Sequence, residues 1–97
     1  MEIKTLTEVE TTVMYLSGRF DAHTTQAFSE AAALLNGRLV VDLAQVVFID
    51  SRGLAALISV YHRLGALLTL RDPQDAVRLI FEVTKLDQIF LFEPVAA

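Results

Sequence analysis

The twelve residues from Val46 to Leu57, VVFIDSRGLAAL, join two different hydrophobic patterns. Four of the first five residues are apolar, as in an extended segment, and the polar turn DSRG follows. Beyond the turn, apolar residues recur with the spacing of one helix face, at Leu54, Leu57, Ile58, Tyr61 and Leu64. The stretch therefore predicts a strand that leads through Asp50 and Ser51 into a helix, which Gly65 ends.

A helix and a strand are predicted directly before this stretch. In TTQAFSEAAALLNG, Thr24 is the expected N-cap, Asp21 is the alternative, and Asn36-Gly37 is the stop signal. The apolar face of this helix comprises Phe28, Ala31, Ala32 and Leu35. The run RLVVDL, Arg38 to Leu43, has a continuous apolar centre, which predicts a central, parallel strand covered on both faces.

Two strands are predicted at the start of the chain. TTVMYLSG, Thr11 to Gly18, is β-branched and aromatic, whereas MEIKTLTE before it is a weaker strand that we expect at an edge. The two strands are expected to pair as a hairpin around Glu8 to Glu10.

The end of the chain predicts one more strand and helix. ALLTLRD is a buried strand, after which Asp72 is expected to cap a helix with Pro73 at its first position. The expected inner face of this helix comprises Val77, Ile80, Phe81 and Thr84. KLDQIF predicts one short helical turn, and LFE a last short strand.

Strands thus alternate with helices in the order β-β-α-β-α-β-α, followed by a short tail. This order predicts an α/β fold with one mixed sheet of four to five strands and right-handed crossovers. In such sheets functional loops lie beyond the carboxyl ends of strands, which is where Asp50 and Ser51 are expected.

Composition limits the function. A chain of 97 residues with 54% hydrophobic residues predicts a single domain, residues 1–97, that is stabilised by one hydrophobic core. A net charge of -4 and the lack of a basic stripe disfavour nucleic acid as a partner. The chain contains no cysteine, and its acidic start is unlike a signal peptide. Since no apolar run reaches the roughly 20 residues of a membrane span, we expect a cytoplasmic protein without membrane contact.

Ser51 is open to two interpretations. A serine at a helix start commonly caps the helix with its side-chain oxygen, as Asp50 could also do. Alternatively the Ser51 hydroxyl is a phosphoacceptor. The helix N-terminus would tolerate a phosphate there, and the phosphate would change the charge of the surface. Gly53 in the first turn serves either local packing or the close approach of another backbone.

Catalytic and cofactor sites are disfavoured. His62 is eleven residues beyond Ser51, about 16 Å along one helix, and nothing in the sequence places His23 beside Ser51. Two isolated histidines form no metal motif. Asp50 as the phosphoacceptor of a receiver domain would need neighbouring carboxylates for Mg²⁺, and only Asp21 is available. We expect no enzyme activity, no cofactor and no metal.

The sequence resembles the STAS domain, and within it the bacterial anti-sigma factor antagonists. The resemblance is carried by LSGRFDAHT, LVVDLAQVVFIDSRGLAAL and LTLRDPQDAVRLIFEVTKLDQIF, which span nearly the whole chain. The middle segment matches the family pattern Asp-Leu-x-x-Val-x-x-Ile/Met-Asp-Ser-x-Gly-Leu.

This resemblance implies that Ser51 is phosphorylated by an anti-sigma factor that is itself a serine kinase of the GHKL type. The unphosphorylated protein would bind that kinase and free a sigma factor, and a PP2C-type phosphatase would reverse the phosphorylation. The expected partner-binding residues are Asp21, Asp50, Ser51, Arg52, Gly53 and Leu54. We expect a monomer or weak dimer.

Two positions depart from the family pattern. Arg52 stands where the family often has Ser or Thr, and Thr84-Lys85-Leu86 replaces Thr-Gly-Leu, which removes a glycine helix stop. Two alternatives to the antagonist function remain open. One is a STAS module of another partner-switching, stressosome or lipid-transport complex, and the other is a small-ligand domain for a nucleotide, for which the sequence offers no Gly-rich phosphate loop.

Overall fold

The computed structural model describes residues 1–8 and 10–93, which form a mixed sheet with three α-helices. The strands are β1 (Glu2–Glu8), β2 (Thr11–Phe20), β3 (Arg38–Ile49), β4 (Leu68–Arg71) and β5 (Leu91–Phe92). The helices are α1 (Thr25–Ala33), α2 (Ser51–Leu64) and α3 (Asp75–Val83), with 3₁₀ turns at Gly65–Leu67 and Leu86–Gln88. The predicted element order is confirmed, including the final short strand.

The strands lie in the order β1-β2-β3-β4-β5. β1 is antiparallel to β2, and the other neighbouring pairs are parallel. The predicted edge position of β1, its pairing with β2 and the central position of β3 are therefore confirmed. Val9, in the predicted hairpin turn, lies outside the described residues.

The two faces of the sheet have different surroundings. On the inner face, the buried strand residues share one core with the buried residues of all three helices; these strand residues include Met14, Leu16, Leu39, Val41, Leu43, Leu68 and Leu70. The alternate residues point to the opposite, outer face, where Val40 is only partly buried. The prediction that β3 is covered on both faces is therefore correct for the inner face only.

The end of α1 differs from its prediction. The helix ends at Ala33, before the Asn36-Gly37 signal, and its apolar face does contribute Phe28 and Ala32 to the core. Both terminal NH groups of the Arg63 guanidinium donate at 2.6 Å, one to the carbonyl of Leu35 and one to that of Ala32. A cation from α2 thus satisfies carbonyl groups at the helix end.

The predicted start and inner face of α3 were partly wrong. The helix begins at Asp75, because Asp72 takes a left-handed conformation with φ 53° and the cap position falls on Gln74. The Gln74 side chain donates to the carbonyl of Ala44 at 2.9 Å instead of capping. Val77 and Phe81 are buried as expected, whereas Thr84 is exposed.

The glycine that the family pattern places after α3 is replaced by a strained lysine. Lys85 has φ 64°, in the left-handed region that costs an ordinary residue about 1–2 kcal/mol. Lys85→Gly should relieve this cost, offset in part by the greater freedom of glycine in the unfolded chain. We expect a net gain of about 0.5–1 kcal/mol in the free energy of unfolding, measured by urea denaturation. Lys85→Ala, the control, should give no gain; equal midpoints for the Gly and Ala variants would contradict the strain.

Candidate functional site

Two loops leave the sheet at the same edge. β2 and β3 are parallel, and Phe20 is paired with Ile49 at their carboxyl ends. The Asp50 amide then donates to the Phe20 carbonyl at 3.2 Å, which ties the start of α2 to the end of β2. The loop that contains Asp21 and the turn that contains Ser51 therefore lie side by side.

Asp50, not Ser51, caps α2. One oxygen of the Asp50 carboxylate accepts from the amides of Arg52 at 2.9 Å and Gly53 at 3.1 Å. Ser51 is the first residue of the helix and is exposed. Within residues 1–8 and 10–93 its hydroxyl takes part in no hydrogen bond. The interpretation of Ser51 as the cap was therefore wrong, and its hydroxyl is free for other chemistry.

Gly53 is buried against the chain's own backbone. A β-carbon at this position would lie 2.5 Å from the Phe20 carbonyl oxygen and 2.9 Å from the Ile49 side chain. Of its two interpretations, local packing is the one that this geometry explains. Leu54, also assigned to partner binding, is only 8% exposed and belongs to the core. Both residues position the turn.

Asp21 is organised by its own loop. Its carboxylate accepts from the His23 amide at 3.0 Å and from Arg19 Nε at 3.3 Å. The His23 amide, helped by Arg19, holds the pKa of Asp21 below its ordinary value, so this residue stays charged at neutral pH. Thr24 occupies the N-cap position of α1, but its side chain bonds to Asp21 and Arg19 backbone atoms instead of capping the helix.

Sequence reasoning missed an apolar and cationic part of this edge. The Arg19 guanidinium lies 4.0 Å from the centre of the Phe48 ring. Phe48 is 36% exposed and the neighbouring Val47 58%. The sequence did not reveal this exposure, because the apolar run gives no sign of which residues face solvent. Register shifts between β2 and β3 also interrupt the simple alternation of buried and exposed residues. The pairing of Arg19 with Phe48 depends on those shifts, and no local sequence signal reveals it.

We call the resulting surface the Ser51 edge; it comprises Arg19, Asp21, Phe48, Asp50, Ser51 and Arg52. It combines an exposed hydroxyl, two carboxylates, two guanidinium groups and an aromatic ring. His23 and His62 form no hydrogen bond with Ser51 among the described residues. Nor do three metal-ligating side chains of the described residues come together. The Ser51 hydroxyl is therefore accessible, and charged and aromatic side chains surround it.

None of the helices in the described part of the chain is long and apolar enough to cross a bilayer.

The cap assignment gives a direct test. Asp50→Ala removes the acceptor for two amides at the helix start, so we expect a loss of about 1–2 kcal/mol in the free energy of unfolding. Ser51→Ala should change stability by less than about 0.5 kcal/mol, because the exposed hydroxyl makes no cap. Urea denaturation of both variants measures the difference. A larger loss for Ser51→Ala than for Asp50→Ala would contradict the assignment.

Comparisons with known proteins agree with this fold. Residues 4–93 match the family model described as "Mlab, STAS domain". No curated protein matches the chain in sequence. Among solved structures, an anti-sigma factor antagonist from Mycobacterium paratuberculosis is 30% identical, with a TM-score of 0.82 over 97% of this chain and 87% of that chain.

Two structures of SpoIIAA share the fold at lower identity. The anti-sigma factor antagonist SpoIIAA in its unphosphorylated form is 20% identical, with a TM-score of 0.72 over 97% of this chain and 90% of that chain. The Bacillus cell fate determinant SpoIIAA in its phosphorylated form is 17% identical, with a TM-score of 0.71 over 97% and 93%. Because the family model matches residues 4–93 of the chain and a solved relative is 30% identical, the chain belongs to the STAS domain family.

Proposed function

We propose that this chain is an anti-sigma factor antagonist that binds an anti-sigma factor through the Ser51 edge and releases it when Ser51 is phosphorylated. The observation that carries the proposal is the exposed Ser51 hydroxyl, which Asp50 frees from capping α2. The likeness to the antagonist from Mycobacterium paratuberculosis supports the class of partner.

Electrostatics explain how the switch works. A phosphate on Ser51 adds about -1.5 to -2 charges next to the Asp50 carboxylate. The amides of Arg52 and Gly53 are already occupied by Asp50, so the phosphate projects into the interface rather than replacing the cap. Arg52 is exposed beside it and offsets only part of the charge. The fold is preserved while the surface changes from mixed to strongly acidic.

The proposed partners are those that the resemblance to the anti-sigma factor antagonists implies. The chain acts as a binding module of one domain, residues 1–97, and not as an enzyme. The nucleotide and Mg²⁺ belong to a GHKL-type serine kinase that is also the anti-sigma factor. A PP2C-type phosphatase restores the unphosphorylated form. Asp21 and Asp50 meet cations of the partner, and Arg52 meets an acidic group.

Substitutions at Ser51 should separate modification from binding. Ser51→Ala should abolish phosphate incorporation, detected by mass spectrometry after incubation with ATP and candidate kinases, and should keep partner affinity within about threefold. Ser51→Asp should weaken partner binding at least about tenfold while circular dichroism stays native, because it adds a buried negative charge to the interface. Isothermal titration calorimetry measures the affinities.

Ser59 offers a matched control, because it is exposed on the same helix away from the turn. Ser59→Ala and Ser59→Asp should leave both phosphorylation and affinity unchanged. Continued phosphorylation of Ser51→Ala would overturn the acceptor assignment. Equal affinities for Ser51→Asp and the wild type would overturn the electrostatic switch.

A second candidate is a STAS module in a complex that does not act on a sigma factor. It is favoured by the description of the matched family model, which names Mlab and not an anti-sigma factor antagonist. In that case the Ser51 edge would bind a subunit of another partner-switching, stressosome-like or lipid-transport complex. Affinity capture from the native cell distinguishes the two: a GHKL-type kinase supports the antagonist, and transporter subunits support the second candidate.

A further inference from the structure

The outer face of the sheet carries a row of four apolar residues and one threonine that crosses all five strands. Consecutive cross-strand partners connect it, since Leu6 pairs with Val13, Val13 with Val40, Val40 with Thr69 and Thr69 with Leu91. Cross-strand partners project to the same face of a sheet, so these five side chains form one continuous line. We call them the apolar row.

A charged row runs parallel to the apolar row, two residues later in the parallel strands and two residues earlier in the antiparallel β1. Lys4 pairs with Tyr15, Tyr15 with Asp42 and Asp42 with Arg71. Glu93 extends the row past β5, because its amide donates to the Leu70 carbonyl and its carboxylate lies 3.9 Å from Arg71 Nη1. The charged row therefore has a cation at the β1 end and an anion at the β5 end.

Several side chains of the outer face are exposed to solvent. The buried residues of all three helices belong to the core on the inner face of the sheet. Leu6 and Leu91, at the two ends of the apolar row, are each 49% exposed, and Tyr15 is 39% exposed. Val13, near the centre, is buried by its neighbours at 7% exposure. A row of this kind across a whole sheet face is typical of an interaction surface.

We propose that the outer face is the interface of a symmetric homodimer, in which two copies pack sheet against sheet. The two-fold axis lies between the two sheets and runs parallel to β3. Such an axis brings β1 of one copy over β5 of the other and keeps every row at its own level. Leu6 then meets Leu91 of the second copy, and Val40 meets its own equivalent. Lys4 meets Glu93 of the second copy, twice in each dimer. The surface is then complementary to itself in charge.

The size of the face predicts a weak dimer. The five strands are about 4.8 Å apart, and the four residues of β4 span about 13 Å, so the part of the face that crosses all five strands covers roughly 250 Å² in each copy. That is about a third of the area that a standard stable interface buries on each partner. Association is therefore expected to depend on concentration and to be governed by the leucines and the Lys4–Glu93 pairs.

This dimer leaves the proposed phosphorylation site free. Val40 and Ile49 are nine residues apart on β3, which is about 30 Å at the rise of a strand. A two-fold axis parallel to β3 also keeps both Ser51 edges at the same end of the dimer. The two sites can then engage a dimeric partner together, which raises apparent affinity without a new contact.

Sedimentation equilibrium on the full chain tests the interface. The wild type should convert from monomer to dimer between about 10 µM and 1 mM, as weak interfaces do. Leu6→Glu and Leu91→Glu should each raise the dissociation constant at least about tenfold, because the symmetry introduces every new charge twice. Leu34→Glu, at an 81% exposed leucine at the end of α1, is the matched control and should have no effect.

A charge exchange tests the arrangement of the two copies. Lys4→Glu and Glu93→Lys should each weaken association, and the combined variant should return within about threefold of the wild type. Circular dichroism of every variant checks that the fold is kept. A wild type that stays monomeric at 1 mM overturns the proposal. An equal effect of Leu34→Glu, or no recovery in the combined variant, also overturns it, and none of these outcomes depends on Ser51 or its kinase.

Discussion

Alanine in place of Gly53 is expected to lower the free energy of unfolding by at least about 3 kcal/mol, beyond the usual range for overpacking. The new β-carbon would lie 2.5 Å from the carbonyl oxygen of Phe20, which also accepts from the Asp50 amide. This obstacle is backbone of a central strand and cannot rotate away as a side chain would. The first turn of α2 must therefore move, and the hydrogen bond that ties it to β2 must lengthen.

Thermal unfolding followed by circular dichroism measures this loss. For a domain of this size, about 3 kcal/mol corresponds to a fall of roughly 12–24 °C in the melting temperature. Gly37→Ala is the matched control, because a β-carbon there meets only an ordinary contact, 3.6 Å from the Glu10 carbonyl oxygen. A Gly53→Ala protein that melts within a few degrees of the wild type would show that α2 approaches β2 less closely than described.

If Gly53→Ala remains folded at low temperature, partner binding provides a second readout. Displacement of the first turn moves Asp50 and Ser51 together, so affinity should fall even though Gly53 itself is buried. An affinity equal to that of the wild type would contradict the role of Gly53 in positioning the turn.

The element order was predictable because hydrophobic periodicity reports which face of an element is buried. α2 illustrates this, since its apolar spacing predicted a helix from the Asp50-Ser51 turn to Gly65, and the observed bounds are Ser51–Leu64. The edge strand β1 and the central strand β3 were likewise predicted from weak and continuous apolar patterns.

Helix ends were less predictable, because tertiary contacts decide them. Asn36-Gly37 is a strong local stop signal, yet α1 ends earlier, where Arg63 reaches its carbonyl groups from 31 residues away in the chain. Asp72 and Pro73 have the composition of a helix start, but the left-handed turn at Asp72 delays α3 to Asp75.

The candidate site likewise contains features that the sequence predicts and features that depend on the tertiary fold. The sequence placed Asp50 and Ser51 at the correct turn, but could not assign the cap between two neighbouring residues that both accept hydrogen bonds. The contact between Arg19 and Phe48 joins two strands across irregular register and depends on the tertiary fold alone. The continuous apolar run of β3 was read as burial on both faces, whereas Val40 contributes to an open row.

The ion pair between Asp42 and Arg71 is expected to be the second largest single contribution to stability. Asp42 is 7% exposed, accepts from the Ala44 amide at 2.9 Å and meets Arg71 at 2.8 and 2.9 Å. Burial alone would lower the pKa of the Arg71 guanidinium, but its hydrogen bond and ion pair with Asp42 raise that pKa above its ordinary value. Arg71 therefore stays charged at neutral pH.

Removing one partner leaves the other unpaired, and the two losses should differ. Arg71→Met leaves the carboxylate of Asp42 in a nearly buried position with a single amide donor, so we expect a loss of about 2–3 kcal/mol, below the range for fully buried pairs. Asp42→Asn keeps an acceptor for the Ala44 amide, and Arg71 retains Glu93 and partial access to water, so about 1–2 kcal/mol should be lost.

A double-mutant cycle by urea denaturation isolates the pair from its surroundings. Since Asp42→Asn removes the charge that Arg71→Met would leave unpaired, the combined variant should lose at least about 1 kcal/mol less than the sum of the single losses. Strictly additive losses would mean that Arg71 stabilises the outer face through its packing on Tyr15 and not through Asp42. Lys4→Met, at an exposed cation on the same face, is the control and should change stability by less than about 0.5 kcal/mol, because exposed ion pairs contribute little.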